Sequence, residues 1–231
     1  MEGYRENMIL REKKNMLILR NLQERCDPQW ACLLVVDVQN DFVSPKGSCA
    51  QRGEDVSVAE AMVPRLIRLI EKARRVALPI IYVKTTHSEW TDTPSWMYRK
   101  SQQKELNTCR EGSWGAELYE GISPLPEERV VIKHRYSAFI NTDLNTVLKA
   151  KGIQSVLVTG VATNVCVETT ARDAYMYDYY VTMVDDCVAA YDPKLHESTL
   201  ENMRQHFGLV ASSKKVMDTW QDLKQKRAAV S

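Results

Sequence analysis

The sequence predicts an α/β domain built on a doubly wound, mostly parallel six-stranded sheet with helices on both faces. Three observations point to it. Apolar runs of strand length, such as A-C-L-L-V-V from Ala31 and S-V-L-V-T-G from Ser155, are continuous, as in parallel strands buried on both sides. Between such runs, apolar residues recur at helical spacing. The strand-helix-strand order implies right-handed crossovers and hence parallel neighbours in one sheet. At 231 residues the chain can bury a sizeable core as one domain, and it shows no internal repeat or low-complexity linker.

Residues 1–30 read as an N-terminal extension. Met16, Leu17, Leu19, Leu22 and Cys26 line a helical stripe there, suited to packing either on the domain or on a neighbouring subunit. Residues 31–231 form the domain itself. Its first strand begins at Ala31 and runs into the polar cluster Asp37, Gln39, Asn40 and Asp41. Val58, Met62, Leu66, Ile70 and Ala73 mark a helix in which Pro64 sets either a late start or a kink. The second strand spans Pro79 to Val83. An excursion over residues 84–128 follows, holding Trp90, Trp96 and Trp114 with little periodicity. Long excursions in compact domains tend to be functional, so its early part is expected near a substrate, with other aromatics packing under the loop or at a subunit contact. Arg129 to Lys133 is the third strand, and a helix from Thr142 stops at Gly152. The fourth strand, from Ser155 to Gly160, turns sharply into a helix reaching Ala174. Tyr179 to Val184 is the fifth strand, Pro193 to His206 a helix, Leu209 to Ser212 the sixth strand, and Lys214 to Arg227 the terminal helix.

A formal net charge of +1 gives no long-range field toward nucleic acid or an anionic membrane. Near the C-terminus Lys214, Lys215, Lys224, Lys226 and Arg227 interleave with Asp218 and Asp222, as on a solvated helix face. No apolar run approaches the roughly 20 residues that span a bilayer, and the start of the chain lacks the apolar core of a secretory signal. Six cysteines, Cys26, Cys32, Cys49, Cys109, Cys166 and Cys187, include no C-x-x-C pair. The expected setting is the reducing cytoplasm, without disulfides and without nucleic-acid or membrane partners.

Three groups emerge at the carboxyl edge of the sheet, where open α/β sheets gather their ligands. They are Asp37 after the first strand, Lys133 after the third and Cys166 after the fourth. Each has an ordinary alternative: Asp37 as a turn cap, Lys133 as a surface lysine, Cys166 as a small buried hydrophobe. Together they supply a nucleophile, a base to take its proton and a cation to favour the thiolate. Cys166 falls at the predicted start of a helix, where unpaired N–H groups and the macrodipole lower a thiol from about 8.5. Those N–H groups also suit a tetrahedral oxyanion.

The segments V-V-D-V-Q-N-D-F around Asp37, K-H-R-Y-S-A-F-I-N-T from Lys133 and T-G-V-A-T-N-V-C-V-E-T-T-A-R-D-A around Cys166 resemble the isochorismatase-like cysteine hydrolases over about residues 30–215. The resemblance implies an isochorismatase-like, Rossmann-type three-layer fold and a catalytic triad of Asp37, Lys133 and Cys166. It also implies a cis peptide between Val161 and Ala162, with an oxyanion hole from the N–H groups of Ala162 and Cys166. The family's true isochorismatases lack the cysteine nucleophile, so Cys166 points to amide hydrolysis through a thioester. Nicotinamidases carry a metal-binding Asp-x-His, whereas this chain reads K-T-T-H-S-E-W with Thr85 in place of the acid. No metal or other cofactor is therefore expected, and His87 is assigned to the substrate.

In its wording the Cys166 segment is most similar to the ureidoacrylate and N-carbamoyl amide hydrolases, with Asn164 where many relatives carry Asp and Ala138 where glycine is expected. The resemblance implies a small carbamoyl or ureido amide as substrate, with ammonia or carbamate released. Gln39, His87, Trp90, Tyr136 and Asn164 are the expected substrate-binding residues; Asn164 as a turn brace and Tyr136 as a core residue are the plain alternatives. Relatives assemble as dimers or tetramers, so a homo-oligomer is expected. Competing readings are a nicotinamidase-like or other small-amide hydrolase, and a catalytically silent or redox-sensing α/β protein. A nucleotide-binding module fails because no G-x-G-x-x-G follows the first strand.

Overall fold

Ala31–Val36 forms the central strand β1, and all six of its residues are buried. A computed structural model describes residues 18–228 of the chain. Around β1 lie β2 (Ile80–Thr85), β3 (Arg129–Lys133), β4 (Ser155–Val161), β5 (Tyr180–Ala189) and β6 (Gly208–Ala211). The strand order is β3-β2-β1-β4-β5-β6, and every neighbouring pair is parallel. The sheet is thus wholly parallel where mostly parallel was expected. Order reverses between β1 and β4, which makes their carboxyl ends the topological switch point of a doubly wound sheet.

The described helices are α1 (Leu22–Arg25), α2 (Asn40–Val43), α3 (Ser48–Gln51), α4 (Ser57–Arg75), α5 (Pro94–Gln102), α6 (Leu144–Ala150), α7 (Glu168–Met176), α8 (Pro193–His206) and α9 (Ser213–Ala228). Alternate β1 residues face two separate cores. Ala31, Leu33 and Val35 pack with Met62, Leu66 and Leu69 of α4 and with Val216 and Trp220 of α9. Cys32, Leu34 and Val36 pack with Leu144 and Leu148 of α6, Ala171 and Ala174 of α7, and Leu200 and Met203 of α8. Apolar side chains on both faces of one strand are what a continuous hydrophobic run encodes. No described helix is long and apolar enough to cross a membrane.

Several boundaries differ from the sequence reading. Pro64 neither starts nor ends a helix, since α4 runs through it from Ser57 to Arg75. β5 continues five residues past Val184 because its polar residue Asp186 finds partners in place: the carboxylate accepts from the Ser213 N–H at 2.6 Å and from Ser213 Oγ at 2.8 Å. Within the extension, Met16 and Leu17 lie outside the described residues. Leu19 and Cys26 are buried in the domain, and Trp220 Nε1 donates to the Cys26 carbonyl at 2.8 Å, so this part packs on its own chain.

Gly160 fixes how closely β4 approaches β1. It pairs with Val36 in unbroken register, marks a register shift against β5 on its other side and has φ +115°, a conformation that side chains oppose. A Cβ there would stand 1.9 Å from the Val36 carbonyl oxygen. Gly160→Ala is expected to destabilise the fold by about 3 kcal/mol or more in urea denaturation, because the obstacle is backbone inside a central pair of strands.

Candidate active site

Where β1 ends, Asp37 takes a left-handed conformation with φ +52°, one that a short polar residue tolerates better than most. The turn aims its carboxylate under the ends of β2 and β3. Lys133 Nζ lies 2.7 Å from Asp37 Oδ2, and both side chains are wholly buried. Thr85, in register with Lys133 across β2 and β3, completes the arrangement. Its hydroxyl accepts from Lys133 Nζ at 2.6 Å and donates to Asp37 Oδ1 at 3.0 Å, while Nζ also donates to the Arg135 carbonyl at 3.0 Å. Burial alone would lower the lysine pKa. The charge of Asp37 outweighs it and holds the ammonium above its ordinary value.

The third group arrives from β4. The Val161–Ala162 peptide is cis, and Thr163–Val167 then forms a single π-helical turn before α7 begins at Glu168. Cys166 therefore sits inside this turn and not at the first residues of the α-helix. Its thiol is buried beside Lys133 and Asp37. Burial pushes the Cys166 pKa up to about 12, with Lys133 pulling against that rise. This corrects the expectation of a lowered value: the cost of enclosing a thiolate exceeds what one cation returns, and that cation is already neutralised by Asp37.

The polar cluster that follows β1 divides its work. Asp37 faces the thiol, whereas the other three residues pin the excursion. Gln39, expected at the substrate, is wholly buried with its amide fully engaged: it donates to the carbonyls of Thr85 (2.8 Å) and Ala116 (2.7 Å) and accepts from the Thr85 N–H (2.7 Å). Asn40 Nδ2 donates to the Trp114 carbonyl at 2.8 Å. Asp41 accepts from the N–H groups of Ser48 at 2.9 Å and Cys109 at 2.6 Å. Nearer β2, the excursion is drawn into a neck where the His87 N–H donates to the Cys109 carbonyl and the Glu111 N–H to the His87 carbonyl, each at 2.9 Å.

Above the thiol lies a cavity of about 100 Å³ lined by Cys166, Lys133, Thr85, Val161 and Ala162, with His87, Trp96 and Tyr136 on its outer wall. His87 and Tyr136 thus stand where a substrate would. Trp90 does not: it is 98% exposed and belongs to a separate surface depression, because its loop turns outward. Trp96 on α5 lines the cavity in its place, with its ring 5.2 Å from His87 and 5.1 Å from Tyr136. Asn164 is also not among the lining residues; the π-helical turn presents Val165 and Cys166 instead. Burial, reinforced by the charges of Lys100 and Lys133, lowers the His87 pKa to about 3, so the imidazole is neutral at physiological pH. Among the described residues no three His, Cys, Asp or Glu side chains are grouped to hold a metal ion.

Sequence reasoning missed the cavity wall made by Arg52, Lys100, Gln103 and Glu105. These residues lie in segments without periodicity, and only the chain's path brings them to the sheet edge. Two variants separate scaffold from cavity. Gln39→Leu strands three buried backbone groups and is expected to cost roughly 3 kcal/mol or more in urea denaturation. Trp90→Ala is expected to change stability by less than about 0.5 kcal/mol, as for an exposed side chain.

Known proteins share this architecture. The Isochorismatase domain model matches residues 31–215. Ureidoacrylate amidohydrolase RutB of Methylobacterium radiotolerans is 32% identical over 199 residues, covering 80% of this chain and 77% of its own. A solved cysteine hydrolase from Pseudomonas syringae pv. phaseolicola superposes with a TM-score of 0.76 at 25% identity, over 90% of this chain and 99% of the other. N-carbamoylsarcosine amidase from Thermoplasma acidophilum gives a TM-score of 0.65 at 30% identity, over 80% and 96%. With most of its length matched by the domain model and by such relatives, the chain belongs to the isochorismatase family.

Proposed function

We propose that the protein is a cysteine-dependent amidohydrolase that cleaves a small carbamoyl- or ureido-type amide through a thioester. The observation that carries this reading is the enclosed Cys166 thiol set against the buried Asp37–Lys133 pair at the switch point of the sheet. The names of the relatives, an amidohydrolase and an amidase, support the same chemistry.

Asp37 takes the thiol proton as Cys166 Sγ attacks the amide carbonyl carbon. The oxyanion that forms is held by the N–H groups of Ala162 and Cys166. Asp37 returns the proton to the departing nitrogen, the C–N bond breaks, and ammonia or an amine leaves the thioester behind. Water, deprotonated by Asp37, then attacks the thioester carbon. Sγ departs with a proton, and a carbamate or carboxylate is released. Lys133 pairs with the buried Asp37 carboxylate and stabilises the sulfur anion as it develops. A thiol with a high pKa fits this sequence, because it is protonated at physiological pH and gives up its proton only as it attacks.

Three outcomes test the reading. Wild-type protein incubated with a panel of ureido and carbamoyl amides and nicotinamide is expected to release ammonia and to show an acyl adduct on Cys166 by mass spectrometry. Cys166→Ser is expected to lose turnover by about 10³-fold or more; full ammonia release by Cys166→Ala would overturn the covalent mechanism, and turnover of nicotinamide alone the ureido assignment. The third outcome concerns pH. Because the thiol titrates near 12, iodoacetamide labelling of Cys166 is expected to keep climbing about tenfold per pH unit beyond pH 9, where a free thiol of pKa about 8.5 has begun to level. Lys133→Met is expected to slow that labelling at every pH.

A further inference from the structure

We infer that His196 is a positioning residue of the active site: through the Thr163 hydroxyl it holds the π-helical turn that carries Cys166 and the oxyanion donors. That role rests on the hydrolase reading, whereas the contact itself is a matter of geometry. A π-helical turn is rare and is found mostly at functional sites, so what fixes it in place bears on the chemistry. The Thr163 side chain is wholly buried, three residues before Cys166, and its Oγ1 lies 3.0 Å from His196 Nδ1. His196 belongs to the first turn of α8. The start of that helix is fixed by Pro193 and by the Asp192 side chain, which accepts from the Lys194 N–H at 2.8 Å.

α8 grips the turn at its other end as well. Thr199 Oγ1 donates to Glu168 Oε2 at 2.8 Å, and Glu168 directly follows the last residue of the turn. His196 and Thr199 are three residues apart and so share one face of α8. Cys166 is thus bracketed against a single helix, by Thr163 on one side and Glu168 on the other. The two ends differ in what else holds them. Glu168 is also bound by Arg172 Nε at 2.9 Å, whereas the Thr163 hydroxyl relies on His196 among the described residues. Burial outweighs the charges of Glu197 and Asp185 and lowers the His196 pKa, so the ring is neutral at physiological pH and one nitrogen can accept from the hydroxyl. Without that acceptor a wholly buried hydroxyl has to turn or draw in water. Thr163 is bonded directly to Ala162, whose N–H group is a proposed oxyanion donor. A shift there moves the donor against the thiol while every group that touches substrate is still present.

The test pairs His196→Leu and Thr163→Val, which delete the contact from either side, with His196→Asn, whose amide can take the place of Nδ1. Hydrogen exchange read by mass spectrometry is expected to speed at least about tenfold over residues 162–167 in each deletion, with no further gain in the double variant. Exchange in β1 is expected to stay as in wild type, which separates loss of the brace from loss of the fold; where one deletion fails to fold, the other decides. On whichever ureido or carbamoyl amide the wild-type protein cleaves, kcat is expected to fall about 10- to 100-fold with KM within about threefold, and the double variant to lose no more than either single one. His196→Asn is expected to bring both readouts back to within about threefold of wild type. Unchanged exchange, unchanged kcat, additive losses in the double variant, or an Asn variant no better than Leu would overturn the inference. If the wild-type protein cleaves no amide, the hydrolase reading falls, and exchange alone decides whether His196 holds the turn.

Discussion

The buried pairing of Asp37 with Lys133 is the constraint on which the rest of the molecule depends. Enclosing either charge alone costs several kcal/mol, so each residue requires the other and both require Thr85 between them. Asp37 follows β1, Thr85 ends β2 and Lys133 ends β3, so one polar contact ties three adjacent strands at their carboxyl ends. Chemistry and strand alignment are therefore the same problem here. A slip of β3 by one residue would leave a carboxylate buried without a counterion.

β4 brings the thiol to this pair, and Gly160 sets the distance at which it arrives. The backbone of β4 passes so near Val36 that no side chain fits between them. The following cis peptide and π-helical turn carry Cys166 back over the switch point, under a roof supplied by the excursion. Burial at the foot of this cavity raises the thiol pKa, and so narrow a space limits the water that reaches the thiol.

The strands and the three central residues were legible in the sequence because their signals are local. A continuous apolar run ending in Asp37 or Lys133 places a charge at a sheet edge without knowledge of any other segment. The rest depends on contacts between distant segments. Gln39 and Asp37 belong to one polar cluster, and nothing local says that one faces a thiol while the other binds the carbonyls of Thr85 and Ala116. Trp90 and Trp96 are six residues apart in one aperiodic stretch, and only the path of the loop sends the first outward and the second into the cavity. The Cys166 pKa was misread for a related reason: a helix start is visible in sequence, whereas the closure of the cavity above it is not.

The neck at His87, Cys109 and Glu111 gives residues 88–108 the character of a closed loop whose two ends leave the scaffold at one point. Such a loop transmits little of its internal rearrangement to the sheet, because its stem is held by backbone bonds that do not depend on the identity of the residues beyond it. Trp96, Lys100, Gln103 and Glu105 all lie on it. The share of the cavity wall that these four residues make is thus an interchangeable cassette. Its sequence is free to drift toward a new ligand while the three strand ends that hold Asp37, Thr85 and Lys133 stay as they are.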